Sequence, residues 1–418
     1  MVKIYLEVYG CSVNLSEAEI MKGLLAKKHE LVNSPENAEI LIVSICSVKG
    51  DMKALRRLRE LKTKFKKTFF IVAGCIPENL VGELKKYGSL ISTHNISKIL
   101  DVVEATLEGK SVEVIGKNAT VKINLPKIRH NKIIAIVPIS SGCYSACTYC
   151  SVRLIKGKLI SYPQEMIITE IKTALAEGCK EIWITAQDTV CYGLENSKKS
   201  LLPKLLEEIV KIEGDFFVRV GMMNPKHVIP VLNEMIESFK SEKIFKFLHI
   251  PIQSGNNETL NNMKRGYTVS EFETIVEAFR KEFPMITIST DIICGFPGES
   301  EEQFKETLEL IEKLKPAVLN ISRFVPREGT EAAIMKQIPS WIIKERSRKL
   351  TKLFDQIAFN QNKKWIGWEG NILIDEIGKY RTFIGRNFAY KPIIVKEKRL
   401  GSMVNAKIKE VTKYDLKT

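Results

Sequence analysis

Three cysteines occur close together in one stretch of the chain, Ser141-Gly142-Cys143-Tyr144-Ser145-Ala146-Cys147-Thr148-Tyr149-Cys150. Their spacing is CxxxCxxC, with an aromatic residue directly before the last cysteine. Three thiolates from one loop can hold three corners of a cubane [4Fe–4S] cluster and leave the fourth iron open to a substrate or cofactor. The alternative is structural zinc, which takes four Cys or His ligands, the fourth of which would have to come from elsewhere in the chain. The pattern favours a catalytic iron–sulfur site.

The CxxxCxxC stretch follows the first of six strand-like runs that alternate with helical patterns. Strict alternation predicts parallel strands joined by right-handed crossovers. Six such units predict a partial (β/α)6 barrel, with the cysteine loop on the C-terminal face, where barrel active sites lie. The predicted strands are 133–139, 181–185, 216–221, 245–252, 286–293 and 318–324. The predicted helices are 163–177, 202–212, 226–239, 270–282 and 301–314.

The first part of the chain is predicted to be an open parallel α/β sheet domain. Its three strand-like runs each end at a cysteine, namely Cys11, Cys46 and Cys75. Because the carboxyl ends of parallel strands meet at one edge of a sheet, these cysteines are expected to converge in space. Convergence is what a second metal site would require. The alternative is three unrelated buried thiols, since free cysteine is often buried.

The C-terminal part predicts a long basic helix and then short strands separated by Gly and Asn turns, as in a small β-barrel of the OB type. Aromatic residues in this part (Phe383, Phe388 and Tyr390) are typical of small barrels that bind RNA, and an ordinary surface is the alternative. The predicted division of the chain is 1–125 for the N-terminal domain, 126–340 for the partial barrel, 341–366 for the linking helix and 367–418 for the small β-barrel.

The composition indicates a globular protein with a polyanionic partner. The chain has 418 residues, with 64 Lys+Arg against 49 Asp+Glu and a net charge of +15. The predicted helix at 53–67 has an apolar face and a cationic face, which indicates either a nucleic-acid contact or a solvated surface. We find no secretory signal and no apolar run near the roughly 18 residues that span a bilayer. The expected location is therefore the cytoplasm, where thiols stay reduced.

The chain resembles the methylthiotransferases of the radical S-adenosylmethionine superfamily, over essentially its whole length. Besides the cysteine patterns, four stretches match motifs of that family. They are Gly10-Cys11-Ser12-Val13-Asn14 ("GCxxN"), Pro251-Ile252-Gln253-Ser254-Gly255 ("PxQSG"), Thr290–Glu299 ("TDxIxGFPGE") and Pro326–Thr330 ("PRxGT"). The resemblance implies a cluster-binding N-terminal domain, a radical domain and a C-terminal TRAM domain.

Two stretches resemble the archaeal and eukaryotic branch that acts on N6-threonylcarbamoyladenosine in tRNA. They are Cys46-Ser47-Val48-Lys49, in which Ser47 departs from the usual Thr, and Arg219–Pro225. Gln187-Asp188-Thr189 is less decisive, because a branch that modifies an aspartate of a ribosomal protein carries a similar stretch. That branch and the one acting on N6-isopentenyladenosine are the alternatives. A non-catalytic RNA-binding protein with structural metal is the alternative from outside the enzyme class.

The resemblance implies two [4Fe–4S] clusters with open iron sites, and no single side chain as acid or base. Cys143, Cys147 and Cys150 would hold the cluster that binds S-adenosylmethionine, and the other triad would hold a cluster that carries sulfur. The radical formed from the cofactor would activate C2 of adenine at position 37, and sulfur insertion and S-methylation would follow. The implied partners are the anticodon stem-loop of tRNA and an external one-electron donor.

Six further residues lie in the cysteine loop or at predicted strand ends that face the site. We expect them to bind the cofactor or the substrate, although Tyr149 could instead pack within its loop and Asp291 could be a buried, satisfied carboxylate. The six are Tyr149, Gln187, Asp188, Gln253, Ser254 and Asp291.

Overall fold

The computed structural model describes residues 1–46, 51–116, 120–380, 382–396 and 398–418. Residues 47–49, which carry part of the resemblance to the threonylcarbamoyladenosine branch, lie outside the described residues. Within the described ranges, no helix combines the length and the apolar composition needed to traverse a lipid bilayer.

The N-terminal part is a six-stranded parallel sheet with helices on both faces. Ile40 and Ile42 of a central strand enter the apolar core on one face, and Leu41 and Val43 enter the core on the other. Near-continuous apolar strands of this kind are typical of a parallel sheet covered on both sides. In spatial order the strands are Glu30–Leu31, Lys3–Val8, Ile40–Cys46, Phe69–Cys75, Ser89–Ser92 and Glu113–Val114. The helices are Ser12–Leu25, Asp51–Lys64, Val81–Leu84 and Ile99–Leu107, with 3₁₀ turns at Pro35–Asn37, Glu78–Leu80 and Ile96–Lys98.

The central part contains the six predicted parallel strands, which are neighbours in space in their chain order. The third and fourth strands are joined by single hydrogen bonds, for example from the Met223 N–H to the His249 carbonyl at 2.9 Å. No pairing among the described residues joins the first strand to the last, so the predicted partial barrel is confirmed. The strands are Ile134–Pro138, Glu181–Thr185, Phe217–Val220, Phe247–His249, Thr287–Cys294 and Val318–Arg323.

The helices of the central part cover the outside of the barrel, except where loops carry short ones. They are Val152–Lys156, Gln164–Ala176, Leu202–Val210, Pro225–Val228, Leu232–Phe239, Asn257–Asn262, Val269–Glu282, Glu301–Leu314 and Glu331–Ile334. Two 3₁₀ turns, Thr189–Cys191 and Ile229–Val231, and a small ribbon of Ser140–Ser141 with Ile160–Ser161 complete this part. The segment predicted to be helical at 226–239 is divided into two α-helices by the 3₁₀ turn Ile229–Val231, because Pro230 lacks the N–H that a continuous α-helix needs there.

The C-terminal part begins with the helix Ser340–Lys363 and continues as a curled, mixed six-stranded sheet around an apolar core. The loop at 387–391 reaches the base of the barrel, where Lys246 donates its backbone N–H to the Phe388 carbonyl at 2.7 Å. Tyr390 in this loop is buried against Phe245 and Phe247, so its ring closes the barrel base. In spatial order the strands are Met403–Lys407, Glu369–Ile377, Thr382–Arg386, Pro392–Lys396, Leu416–Lys417 and Glu410–Val411.

Candidate active site

The first cysteine triad lies at the C-terminal edge of the N-terminal sheet. Cys46 and Cys75 are register partners at the ends of neighbouring parallel strands. Cys11 follows the adjacent strand and directly precedes the helix Ser12–Leu25. Hydrogen bonding to Cys46 lowers the pKa of Cys11 to about 5 and the pKa of Cys75 to about 7, while the pKa of Cys46 is raised. The structure therefore brings the three predicted thiols into one group.

Asn14 connects two thiols of this triad. The Cys11 thiol lies 3.3 Å from Asn14 Oδ1, and Asn14 Nδ2 lies 3.4 Å from Cys75 Sγ and 3.3 Å from the Ile45 carbonyl. A Cβ at Gly10 would lie 2.7 Å from the Asn14 side chain, so glycine leaves the space that Asn14 occupies. The GCxxN motif therefore acts as one unit in which the amide fixes the positions of the sulfurs.

A buried charged group lies beside the first triad and joins two parts of the chain. Glu17 accepts hydrogen bonds from Lys122 and, at 3.3 Å, from Lys156. Burial alone would raise the pKa of Glu17, but the two lysines outweigh it and lower the pKa to about 2. The positive charge of Lys156 also contributes to the lowered pKa values of Cys11 and Cys75. Lys156 therefore supplies positive charge where thiolates are expected.

The second cysteine triad lies on the loop after the first barrel strand. The loop is anchored by backbone hydrogen bonds from Cys143 to the Gly157 carbonyl at 3.2 Å and from Thr148 to the Met263 carbonyl at 3.2 Å. Burial raises the pKa of Cys143 to about 12 and that of Cys150 to about 11. These thiols would become thiolates only on binding a metal, because coordination removes the proton.

Arg265 supports the second triad from the opposite wall. Its Nη1 lies 3.3 Å from Cys147 Sγ and 3.4 Å from the Tyr149 hydroxyl, and its Nη2 donates to the Pro251 carbonyl at 3.1 Å. These contacts fix the position of the Cys147 sulfur against the barrel wall. Nothing in the spacing of the sequence around Arg265 indicates this role.

Both triads open on one cavity of about 590 Å³, whose walls come from all three parts of the chain. The N-terminal part supplies Cys11, Cys46 and Cys75, and the barrel loop supplies Cys143, Cys147 and Cys150. The barrel also contributes Trp183, Arg219 and His249, and the C-terminal sheet contributes Glu376, Arg386 and Tyr390. The volume lies in the range of sites that enclose small molecules. Two sets of three thiols facing one cavity are suited to chemistry in which two metal centres act on one bound group.

Comparison with known proteins assigns the chain. Residues 137–311 match the Radical SAM superfamily, and residues 3–93 match the uncharacterized protein family UPF0004. A Pyrococcus horikoshii protein named as a probable threonylcarbamoyladenosine tRNA methylthiotransferase is 45% identical over 418 residues, which cover 98% of this chain and 97% of that protein. The threonylcarbamoyladenosine tRNA methylthiotransferase of Drosophila melanogaster is 34% identical over 99% of this chain and 77% of its own length. The chain belongs to this methylthiotransferase family.

Solved structures confirm the α/β radical SAM fold. The radical S-adenosylmethionine methyltransferase TsrM from Kitasatospora setae, solved with cobalamin and a [4Fe–4S] cluster bound, has a TM-score of 0.58 at 14% identity, covering 80% of this chain and 77% of TsrM. The cobalamin-dependent radical enzyme OxsB has a TM-score of 0.52 at 13% identity, covering 85% of this chain and 56% of OxsB. At such identities the likeness concerns the fold alone.

Membership of the radical SAM superfamily implies one [4Fe–4S] cluster and S-adenosylmethionine, and the second triad fits this requirement. Cys143, Cys147 and Cys150 are free thiols from a single loop, and all three line the cavity. Three ligands leave one iron for the cofactor, and Arg265 holds the Cys147 sulfur in place. The first triad offers the same number of free thiols on the facing wall.

Five of the six other predicted site residues line the cavity, namely Tyr149, Gln187, Asp188, Gln253 and Asp291. Ser254 does not face it: Ser254 is fully buried and its hydroxyl lies 3.4 Å from Thr307 Oγ1 on an outer helix. Both carboxylate oxygens of Asp188 accept hydrogen bonds, one from the Cys191 thiol at 2.9 Å and one from the Asn224 N–H at 3.1 Å. The binding roles of all six residues stay predictions.

Gln253 and Asp291 form a fixed corner of the site. Gln253 has a φ of 80°, which is uncommon for a residue other than glycine. Backbone strain of this kind is often found at functional sites. Its N–H donates to the Asp291 carbonyl at 2.8 Å. The Asp291 carboxylate accepts from Asn320 at 2.7 Å and lies 3.0 Å from His249 Nε2. The corner therefore presents both an imidazole and a carboxylate to a bound molecule.

Proposed function

We propose that this protein converts N6-threonylcarbamoyladenosine at position 37 of tRNA to its 2-methylthio derivative, by radical C–H activation, sulfur insertion and S-methylation. The observation that carries the proposal is the pair of cysteine triads, contributed by two parts of the chain, that both line one cavity. The substrate assignment is supported by the names of archaeal and eukaryotic relatives that match nearly the whole chain. Those names favour this substrate over isopentenyladenosine, a ribosomal-protein aspartate or a non-catalytic role.

The proposed ligands are Cys143, Cys147 and Cys150 for the radical SAM cluster and Cys11, Cys46 and Cys75 for a second [4Fe–4S] cluster. When bound, the clusters and S-adenosylmethionine supply one-electron cleavage of the cofactor, the sulfur and the methyl group. An external one-electron donor is required. The open iron sites carry the chemistry in this proposal, and no single side chain is assigned as acid or base.

The chain's own residues hold the reactants in place and exclude water. Asn14 fixes two sulfurs of the first triad, and Arg265 fixes one of the second. Lys156, from the barrel part, bonds to Glu17 beside the first triad and so connects the two parts of the chain that carry the triads. Tyr390 closes the base of the barrel against solvent. Exclusion of water protects a radical from side reactions.

The tRNA is proposed to bind through its anticodon stem-loop, with the C-terminal sheet as a TRAM domain. Phe388 and Tyr414 are exposed on that sheet, whereas Tyr390 is buried and is unavailable to stack on a base. On the basic helix Asp51–Lys64, Arg57 and Arg59 pair with Glu7 and Glu83, which favours the solvated-surface interpretation there. The proposed domain boundaries remain those predicted from the sequence, and the proposed location is the cytoplasm.

Nucleoside mass spectrometry tests the substrate. The tRNA of cells with the gene should contain 2-methylthio-N6-threonylcarbamoyladenosine, and tRNA of cells without it should contain only the unthiolated nucleoside. Unchanged tRNA together with an altered ribosomal-protein mass would refute the proposal in favour of the aspartate branch. Anaerobically purified protein should absorb broadly in the visible range and hold about eight irons per chain. Colourless, folded protein that holds zinc would refute the enzyme altogether.

A further inference from the structure

Arg219 places a guanidinium in the cavity wall without an anionic partner. It lies on the barrel strand Phe217–Val220, in register with Trp183 on the neighbouring strand. Its Nε is buried and has no hydrogen-bond partner. Among the described residues, no carboxylate pairs with Arg219. A buried, unpaired polar group is costly, so such a group in a cavity indicates a bound partner.

Three aromatic rings hold this guanidinium. Its central carbon lies 5.1 Å from the Trp183 ring centre, 5.0 Å from that of Phe247 and 5.3 Å from that of Tyr390. Rings stack on the flat faces of a guanidinium and leave the N–H groups at its edge available. The edge is the part that grips a carboxylate with two parallel hydrogen bonds.

The other cations of the cavity wall are already engaged. Lys156 bonds to Glu17, and Arg265 bonds to Cys147 and to a backbone carbonyl. Arg386 belongs to the C-terminal sheet and packs on the Tyr390 ring. Its guanidinium pairs with Asp375 at 3.0 Å and with Glu376 at 2.8 Å. Arg219 is the cationic side chain of the described cavity wall that has capacity for an incoming anion.

Acidic groups near the barrel base bond to residues other than Arg219, and one oxygen each of Glu181 and Asp375 is buried without a hydrogen-bond partner. Glu181 accepts a hydrogen bond from the Tyr390 hydroxyl at 2.9 Å and another from the Trp183 indole. Arg386 bonds to the two acids of the C-terminal sheet, and none of these three carboxylates forms an ion pair with Arg219 in the described structure. An anion that enters the cavity can therefore supply the missing partner.

We propose that Arg219 recognises the carboxylate of the substrate's N6-threonylcarbamoyl group. The inference rests on the proposed function, because that group carries a carboxylate, whereas adenine and isopentenyladenine carry none. Arg219 precedes the strand end by one residue, so it lies below the rim that carries the cysteine loop. A base whose C2 reaches the rim can direct its N6 substituent along the barrel wall to this guanidinium. Arg219 thereby distinguishes the acidic modified base from neutral ones.

Binding to the loaded, unreduced protein tests the proposal without turnover. The ligands are an anticodon stem-loop bearing N6-threonylcarbamoyladenosine and the same stem-loop with the threonine carboxylate as its methyl ester. Esterification should weaken binding to the wild-type protein by about 10- to 100-fold, the range expected for a hydrogen-bonded charged group. Arg219→Gln should weaken binding of the acid by a similar factor and should show no further loss with the ester. Arg219→Lys should retain part of the discrimination.

The controls separate a specific role from a general one. Arg280→Gln makes the same chemical change on an outer helix, where Arg280 bonds to the Leu314 carbonyl, and should leave both affinities at the wild-type value. Equal loss of acid and ester binding in Arg219→Gln would overturn the proposal and indicate a contact to the tRNA phosphates. Equal affinity of the wild-type protein for acid and ester would overturn it whether or not the variant folds.

The proposed function can fail separately. If reduced wild-type protein with S-adenosylmethionine forms no 2-methylthio product on the acid stem-loop, the function itself is refuted. If it forms that product while Arg219→Gln discriminates acid from ester as the wild type does, only the role of Arg219 is refuted.

Discussion

Substituting Gly142 tests whether the loop geometry, rather than the cysteines alone, determines binding of the radical cluster. Gly142 directly precedes Cys143 and has a φ of +75°. A Cβ at Gly142 would lie 1.9 Å from the Lys158 carbonyl oxygen. Gly157 has a φ of +76° in the same part of the chain, but a Cβ there would meet nothing within 4 Å. Both glycines have a positive φ, and Gly157 has a ψ of −165°, so an alanine is strained at either position and only Gly142→Ala adds the collision.

The expected strain and atomic displacement differ between the two alanine variants. Both alanines carry the cost of a positive φ, on the order of 1–3 kcal/mol. Gly142→Ala must also open the contact with Lys158 by roughly 1.5 Å to reach an ordinary van der Waals distance. Metal–ligand distances tolerate changes of only about 0.2 Å. Because Cys143 is the next residue and donates its N–H to the Gly157 carbonyl, the shift falls on a proposed cluster ligand.

Iron and acid-labile sulfide per chain are the measurements, after anaerobic reconstitution of each variant. The wild type and Gly157→Ala should hold about eight irons, and Gly142→Ala about four, because only the first triad then keeps its cluster. Circular dichroism and the melting temperature report whether each variant folds. Wild-type iron content in Gly142→Ala would refute the steric argument. Equal loss in both variants would assign the effect to the backbone conformation instead.

Three further substitutions follow from the site. Cys75→Ala should abolish the methylthio product while the protein still cleaves S-adenosylmethionine to 5′-deoxyadenosine, measured by chromatography; loss of both products would contradict separate clusters. Lys156→Met should shift the midpoint potential of the cluster at the first triad to more negative values in a redox titration, because positive charge favours the reduced form, and an unchanged potential would count against this role. Burial raises the pKa of Asp375 to about 8 and also raises the pKa of the neighbouring Glu181, so the folded protein keeps protons that the unfolded chain releases, and stability should fall as pH rises from about 4 through 8, with Asp375 contributing at most about 1.4 kcal/mol per pH unit. Asp375→Asn should flatten that slope in urea unfolding followed across this pH range, and an unaltered slope would exclude Asp375 as its source.

The barrel could be predicted from the sequence because each strand is an apolar run between helical patterns. All six predicted strands are present, five of them within one residue of the predicted ends, whereas the fourth, predicted at 245–252, spans only Phe247–His249. The short strand Ser89–Ser92 was missed, since four residues give too little alternation to distinguish a strand from a turn. Its position is determined instead by pairing with Phe69–Cys75, a contact that local sequence does not express.

The cysteine ligand sets could be predicted from the sequence, whereas two of the residues that support them could not. Cysteines at the ends of parallel strands must meet at one edge, so topology alone brings Cys11, Cys46 and Cys75 together. Lys156 and Arg265 reach the triads through packing between segments distant in the chain, which spacing cannot reveal. Asn14 belonged to the quoted GCxxN motif, and its role could have been inferred from its position one helical turn after Cys11.

Charged and polar residues on the barrel strands indicate which positions face the barrel interior. Strands of a parallel sheet covered on both faces are expected to be apolar throughout. Four barrel strands each carry a charged or titratable residue that departs from this rule. Successive side chains of a strand point to opposite faces, and these residues occupy positions on the inner face, namely Glu181, Arg219, His249 and Asp291. A charged residue at such a position must be paired or must serve a ligand. Arg219 is the member of this set without a side-chain partner in the described structure.

The open barrel explains why the third part of the chain belongs to the catalytic cavity. Six strands do not close, so charged residues inside the barrel would face water unless another element covered them. The helix Ser340–Lys363 is fixed to the last strand by a hydrogen bond from Arg323 to Ser347 at 2.8 Å, and it carries the C-terminal sheet to the barrel base. Tyr390 then bonds to Glu181 and stacks on Arg219 from below. The sheet therefore orients the guanidinium that we propose reads the substrate, so a change that loosens the sheet should impair substrate discrimination as well as tRNA binding.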